Sequence, residues 1–374
     1  MRRILGISVS VVTAALLMTG CTPTSLDPSA TPTRFEPSAT ATASPAAAAP
    51  TVRVPLNCSS FVAGVNLDEL MAPGLVALEP PTSTGIEPLD FSQLQDGQLE
   101  CRWTNSSDSL TATQNLTITV APAVTADTWS SILPMFTGSG TIKSKYPGDS
   151  YTWCFESPAN VDTCSLDSLI GEYWLEIKLT SNSAKVSTGG SFDQTTNELA
   201  AYYDPILSRA SSLVADAAAS AGAWSPPPGT LASVSACNTL LTPSQFASIL
   251  GDASAEVEIA GPTTQSTTLW ASSLTTGARY CFLFTSAVSV KVSILPGGSW
   301  AFDRAVAAAV GTPVAGFGEG AFSFNTPDPT GSDSTIVVNA GNSLMSVSVY
   351  SATVGDTASL LKPFAKALLS NLGL

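Results

Sequence analysis

The repeated spacing of two cysteine pairs is the feature that most constrains how this chain can fold. Cys58 and Cys101 are 43 positions apart, and Cys237 and Cys281 are 44 positions apart. Each second cysteine precedes a run of alternating apolar and polar residues, which is typical of a half-buried strand. A proline, a tryptophan and a glycine-containing turn then follow in the same order twice, and after them come a predicted hairpin (151–180 and 321–351) and a predicted closing helix (196–219 and 357–372). A shared order of landmarks indicates a duplicated unit.

Each copy combines strand and helix signals. Alternation with one apolar face is typical of antiparallel strands that are covered on one side. Thr242 before Pro243 is a helix start signal, and residues 357–372 place leucine and phenylalanine on one stripe of a helix. We therefore predict an α+β fold, with two tandem copies of an antiparallel sheet and helices packed on each sheet.

Shifts in composition predict the domain boundaries. Residues 1–20 form a signal peptide, and residues 21–53 form a tether rich in Pro, Ser, Thr and Ala, with too little apolar surface to offset the entropy of ordering. Three consecutive prolines at 226–228 cannot continue a helix, so residues 218–230 are predicted to be a linker. Copy one then spans residues 54–217 and copy two spans residues 231–374.

The first residues predict export and a lipid anchor. Two arginines precede an apolar run of 15 residues, 4–18, which is too short to cross a bilayer. Residues 17–21, Leu-Met-Thr-Gly-Cys, resemble the bacterial lipobox, although Met18 stands where leucine is commonest. The resemblance implies cleavage before Cys21 and acylation of its sulfur, with chains such as palmitate that hold the protein on the extracytoplasmic face of the cell membrane. The alternative is an ordinary signal peptide followed by a chance cysteine.

Six of the seven cysteines remain once Cys21 is assigned to the anchor. An exported chain folds where disulfides persist, and six cysteines allow 15 connectivities. The duplication favours pairing within each copy, Cys58 with Cys101 and Cys237 with Cys281, which leaves Cys154 for Cys164. A zinc or redox site is the alternative, but the chain has no C-x-x-C motif and no histidine.

The charge balance bears on the partners of the chain. The net charge is −14, and most of the excess acids lie in residues 54–217. This balance predicts no nucleic-acid partner, because such proteins present Lys/Arg patches. The acids around 87–100 are predicted to lie in a loop, as a solvated acidic face that aids solubility rather than as a specific cation site.

No catalytic constellation is evident in the sequence. Without histidine, Ser–His–Asp and Cys–His arrangements are impossible, and no phosphate loop or nucleophile elbow occurs. We predict a protein that is not an enzyme, with no catalytic residue, metal or cofactor; a carboxylate-dependent hydrolase is the open alternative. Four aromatic residues are candidates for a binding surface, although core packing is the usual role of such side chains: Trp103, Tyr173, Trp174 and Trp270.

The two copies resemble the domain of a family of actinobacterial lipoproteins of unknown function. The resemblance rests on Cys101-Arg102-Trp103, on Leu240-Leu241-Thr242-Pro243 after Cys237, and on Gly148-Asp149. It implies a lipid-anchored protein with a two-cysteine α+β domain, and it implies no catalytic residues. We therefore predict a membrane-anchored, non-enzymatic binding or sensor module with an unknown extracytoplasmic ligand. The alternative is a structural cell-envelope protein that associates with the cell wall or with a membrane complex.

Overall fold

The computed structural model describes most of the chain after residue 47. The described residues are 48–71, 73–78, 86–106, 114–138, 140–157, 161–182, 191–231, 236–251, 258–260, 267–309, 311–318, 320–328, 331–351 and 357–374. They belong to one compact unit. The predicted signal peptide, Cys21 and most of the predicted tether lie outside the described residues. Within the described ranges, no helix is both long enough and apolar enough to span a membrane.

The first half of the chain forms an antiparallel sheet, called here the first sheet. Its described strands follow the spatial order β1-β2-β3-β7-β6-β5-β4. Their bounds are β1 Val76–Leu78, β2 Leu99–Thr104, β3 Asn115–Ala121, β4 Thr141–Lys143, β5 Asp149–Ser157, β6 Val161–Ile170 and β7 Tyr173–Ser181.

The second half forms a second antiparallel sheet with the same topology. Its described strands follow the order β8-β9-β10-β14-β13-β12-β11, which is the order of the first sheet repeated. Their bounds are β8 Glu258–Ala260, β9 Arg279–Phe284, β10 Val288–Leu295, β11 Thr312–Pro313, β12 Ala321–Asp328, β13 Gly331–Ala340 and β14 Ser343–Ser351. A duplication explains this identity of order, and the predicted α+β class with two antiparallel sheets is confirmed.

Helices flank both sheets. In the described part of the chain their bounds are α1 Cys58–Val62, α2 Leu67–Leu70, α3 Pro88–Asp96, α4 Ala126–Phe136, α5 Phe192–Tyr202, α6 Asp204–Ala215, α7 Pro243–Leu250, α8 Thr267–Thr276, α9 Phe302–Ala308 and α10 Ala358–Asn371. Thr242 caps α7 as predicted, because its hydroxyl accepts from the N–H of Gln245.

One face of each sheet forms an apolar core under helices. In the first sheet, Leu116, Ile118 and Ile177 are fully buried in the core to which Leu207 of α6 also belongs. In the second sheet the same face packs in a core with α7 and α10, whose Phe246 and Phe364 rings lie 5.2 Å apart. Alternation along each strand places these residues on one side and their neighbours on the other side.

The opposite faces are linked by two helices that the halves exchange. Helix α3 belongs to the first half but packs on the second sheet, where the N–H of Leu89 donates to Ser293 Oγ at 3.2 Å. Helix α8 belongs to the second half but packs on the first sheet, where Ala271 is buried beside Trp174. The two helices contact each other through small side chains, with Ser92 and Ser272 hydroxyls 2.8 Å apart. This helix exchange joins the halves through a buried interface.

Helix α3 overturns the prediction of an acidic loop around residues 87–100. The structure has a helix and then strand β2 there, and Asp96 is only 3% exposed. Glu87 forms an ion pair with Lys291 of the second sheet rather than lying in a solvated acidic face. The prediction was wrong because the apolar partners of Leu89 and Phe91 lie in the other half of the chain, outside the reach of a local pattern.

Two other segments differ from the predicted element count. The predicted hairpin after each glycine turn is a meander of three strands, β5 to β7 and β12 to β14. The predicted closing helix of the first half, 196–219, is two helices, because Pro205 opens α6 directly after the end of α5. Both differences add elements without changing the α+β class.

Residues at the predicted boundaries make specific contacts. Arg53, the last residue of the predicted tether, is 8% exposed, and its guanidinium donates to the carbonyls of Ala221 and Asp96. In the predicted linker, Ser220 N–H donates to the Glu172 carboxylate at 2.7 Å, and Asn342 of the second half donates to Pro228 O at 2.9 Å. Residues 218–230 therefore contact both halves of the folded unit.

Three disulfides cross-link the described chain. Cys58 pairs with Cys101, and Cys237 pairs with Cys281 at the equivalent place in the second half. The third bond joins two residues that face each other across β5 and β6: Cys154 and Cys164. The pairing is the one that the duplication favours.

Candidate functional site

The polar face of the first sheet carries the candidate site. The strand register arranges its side chains in three cross-strand rows, each named here after one member. The Glu100 row contains Glu100, Thr119, Glu176, Asp167, Tyr151 and Lys143. The Arg102 row contains Arg102, Thr117, Lys178, Ser165, Trp153 and Thr141. The Asn115 row contains Thr104, Asn115, Thr180, Thr163 and Phe155.

Helices cover one end of this face and leave the rest as a cleft. Beyond the Glu100 row, Ala121 and Trp174 are buried in an apolar cluster with α4 and α8. On the other side of that row, a cleft of about 680 Å³ opens over the Arg102 and Asn115 rows. Thr137 at the end of α4 and Thr267 at the start of α8 form part of its lining. The volume is in the range of small-molecule sites.

Two carboxylates lie side by side where the cover ends. Asp167 on β6 is directly opposite Glu176 on β7, and their residues are 6% and 3% exposed. Glu176 accepts from the backbone N–H groups of Thr267 and Thr268 at 3.2 and 3.3 Å, and from the Thr268 hydroxyl. Lys178 forms an ion pair with Glu176 at 2.7 Å. The Glu176 carboxylate therefore binds the positive end of the α8 dipole.

Asp167 completes this attachment of α8. Its Oδ1 accepts from the Thr267 hydroxyl and from Trp174 Nε1 at 2.9 Å. Burial, and then the neighbouring charge of Glu176, raises the pKa of Asp167 well above its usual range, while the two hydrogen bonds act in the opposite direction. Burial also raises the pKa of Glu100, and the positive charge of Arg102 opposes that shift.

A close acid pair with a raised pKa inside a cleft is what a carboxylate-dependent hydrolase needs. Here both oxygens of Glu176 and one oxygen of Asp167 already bind α8, Trp174 or Lys178. The pair is therefore accounted for by attachment of the helix. Among the residues that the structure describes, no group of three or more His, Cys, Asp or Glu side chains is placed to hold a metal ion.

The second sheet lacks this acid pair. Aligning Cys101 with Cys281 and following the register gives the equivalent positions. Glu100, Asp167 and Glu176 correspond to Tyr280, Val337 and Ser346, and Trp153 corresponds to Phe324. The three carboxylates and the tryptophan are therefore particular to the first sheet, and the second sheet provides matched control positions.

Aromatic side chains form one edge of the cleft. Tyr151 and Trp153 on β5 line it, and Phe155 follows on the same face of that strand. The Trp153 and Phe155 rings lie 4.7 Å apart, and both residues are half-buried. On the opposite edge, Arg102 forms an ion pair with Glu100 at 3.3 Å.

The predicted aromatic binding surface is wrong for three of its four residues. Trp103, Tyr173 and Trp174 are 5%, 3% and 0% exposed, so they pack in the interior. Alternation does place Tyr173 and Trp174 on opposite faces, but α4 and α8 cover the second face as well. Trp270 is half-buried against the same α4–α8 cluster.

The sequence patterns did not predict four residues that line the cleft: Arg102, Trp153, Lys178 and Asp167. A signal for the aromatic edge was present, because Tyr151, Trp153 and Phe155 occupy alternate positions of one strand. Nothing local shows that β5 and β2 bound the same cleft, since this follows from strand order. Comparison of the chain with family models, curated proteins and solved structures gave no match.

Proposed function

We propose that this chain is a lipid-anchored protein of the extracytoplasmic membrane face that binds a small ligand in the cleft of the first sheet, as a non-enzymatic binding or sensor module. The cleft carries the proposal: it is a concave site with polar and aromatic side chains, and two disulfides cross-link the sheet that forms its floor. Side chains that strand pairing and disulfides already position lose little entropy when a ligand binds.

The lipobox-like residues before Cys21 support the location, and so do the three disulfides, because disulfides persist in oxidising compartments. A Cys21→Ser variant tests the anchor. We expect it to leave the membrane fraction and appear in the soluble exported fraction, because one thioether-linked lipid group is lost. Equal retention of Cys21→Ser and wild type in washed membranes would contradict the anchor.

Native mass spectrometry of the full chain, incubated with cell-envelope extract, tests binding in the cleft. Ser165 lies in the Arg102 row at the floor of the cleft, so Ser165→Trp fills the cleft while Ser165→Ala leaves it open. We expect a bound species in wild type and Ser165→Ala that is absent from Ser165→Trp. Binding that is equal in all three proteins, or absent from all three, would refute the proposal.

The same experiment distinguishes binding from hydrolysis. A hydrolase would return the bound species as fragments, whereas a binding module returns it with its mass unchanged. Fragments that appear with wild type and are lost in Asp167→Asn would favour a carboxylate-dependent hydrolase, for which Asp167 and Glu176 are the candidate acids.

A further inference from the structure

The chemistry of the cleft indicates a class of ligand, and this inference depends on the proposed binding function. We infer that the cleft binds a neutral oligosaccharide, with its sugar rings against the aromatic edge at Trp153 and its hydroxyl groups on the polar floor and the Arg102 edge. Aromatic surface, unpaired hydrogen-bonding atoms, the charge balance and the dimensions each support a sugar over other small ligands.

The aromatic edge fits one face of a sugar ring. A hexose presents C–H groups on one side, and the negative face of an aromatic ring attracts such groups. Trp153 lines the cleft and is half-buried, so part of its ring remains accessible. Phe155 supports it from the side at a centroid distance of 4.7 Å.

The opposite edge offers one free donor and one free acceptor. Arg102 Nε and Asn115 Oδ1 are buried, and neither has a hydrogen-bond partner within the described part of the protein. Both residues line the cleft, on the adjacent strands β2 and β3. A sugar hydroxyl both donates and accepts, so it is a suitable partner for either atom. Burial without partners is unfavourable, and a ligand would relieve it.

The charges of the cleft are already balanced. The Arg102 guanidinium pairs with Glu100, and the Lys178 amine pairs with Glu176. A phosphate or a uronic acid would have to compete with these two carboxylates for the positive charges of Arg102 and Lys178. The floor also has rows of threonine and serine hydroxyls, such as Thr117 and Ser165, which disfavour a lipid tail. A neutral ligand with many hydroxyl groups displaces no ion pair and can form hydrogen bonds with the polar floor.

The dimensions fit several linked sugars. Strands β2 and β5 are four spacings apart in the sheet, which places the Arg102 and Trp153 edges about 19 Å from each other. A single hexose contacts only one edge, whereas a short oligosaccharide reaches both. The volume of about 680 Å³ accommodates such a chain.

Isothermal titration of the full chain in a non-glycosidic detergent tests this inference. The probes are linear neutral gluco-, manno- and galacto-oligosaccharides of two to five units, beside an oligouronate, inorganic phosphate and a neutral tripeptide. We expect at least one neutral oligosaccharide to bind. Trp153→Ala should weaken that binding at least tenfold, and Trp153→Phe should restore it to within threefold of wild type.

Phe324→Ala is the matched control, because Phe324 occupies the position of Trp153 in the second sheet. Its affinity for the oligosaccharide should stay within twofold of wild type. Binding confined to the oligouronate, phosphate or tripeptide would overturn the sugar assignment, as would an undiminished affinity of folded Trp153→Ala. The sugar assignment is also overturned if no probe binds. The proposed binding function would still stand in that case if native mass spectrometry finds a species from the envelope extract bound to wild type and not to Ser165→Trp.

Discussion

The attachment of α8 to Glu176 leads to a quantitative prediction for Glu176→Gln. The carboxylate accepts two backbone N–H groups at 3.2 and 3.3 Å and one hydroxyl, and it pairs with Lys178 at 2.7 Å. A hydrogen bond to a charged group contributes about 1.5–3 kcal/mol. The amide keeps one acceptor oxygen but turns an N–H₂ group toward the N–H groups of α8. We therefore expect a loss of about 3 kcal/mol in the free energy of unfolding.

Urea unfolding measures this loss, and calorimetry should show a melting temperature lowered by about 6 °C, at about 2 °C per kcal/mol for a large unit. Hydrogen exchange locates the effect. Because α8 packs on α3, amides of both helices should exchange faster in Glu176→Gln, while those of α6, on the other face of the sheet, should change little.

Ser346→Ala is the matched control in the second sheet. The buried Ser346 hydroxyl has no hydrogen-bond partner among the described residues, so its removal should be neutral or stabilise the protein by about 1 kcal/mol. The reasoning is refuted if Glu176→Gln loses less than about 0.5 kcal/mol, a change typical of ordinary surface substitutions. It is equally refuted if α6 loosens as much as α8.

Three further perturbations test the packing. Burial raises the pKa of Asp96 to about 6 from 3.8, so the wild-type protein loses stability as pH rises through that window. The free energy of unfolding of Asp96→Asn, measured in urea, should equal that of wild type near pH 4 and exceed it by roughly 2–3 kcal/mol at pH 7.5. An equal difference at both pH values would contradict this prediction. Replacing Cys154 and Cys164 by alanine should lower the free energy of unfolding by about 3 kcal/mol. Removing either of the other two disulfides, which close longer loops, should cost roughly 4 kcal/mol. Chemical denaturation of the three double-alanine variants measures these losses. Gly148→Ala should lower the free energy of unfolding by ~3 kcal/mol or more, because the φ of Gly148 is +84° and a Cβ there would lie 2.1 Å from a backbone carbonyl oxygen. Gly171→Ala is the control and should cost about 1 kcal/mol, because Gly171 has a φ of +62° but no described atom within 4 Å of the added Cβ. Similar melting temperatures for the two variants would disprove the steric argument.

The sequence predicts those parts of the fold that depend on local periodicity and on the repeat. The alternation after Cys101 and Cys281 predicts the antiparallel strands β3 and β10, and the equivalent cysteine positions predict the pairing. Helix α3 was missed because its buried side includes Ser92 and Gln95, whose partners belong to the other half. Its amphipathic pattern is therefore weak when it is considered alone.

The candidate site depends on register, which the sequence does not state. Asp167 and Glu176 are nine positions apart among 29 acidic residues, and only the β6–β7 pairing makes them neighbours. Trp174 illustrates the same limit, because alternation predicts its face correctly and says nothing about what covers that face. Distant segments of the chain determine which polar residues stay accessible.

Because of the helix exchange, the fold of each half depends on the other half. A gene cut between them would deprive each sheet of the helix that roofs it, exposing side chains such as Leu295 and Phe322 on one product and Trp174 on the other. Each half therefore depends on a helix of the other half to cover part of its sheet. A substitution on the packed side of α3 or α8 therefore alters the cover of the other half's sheet as well as the structure of its own half.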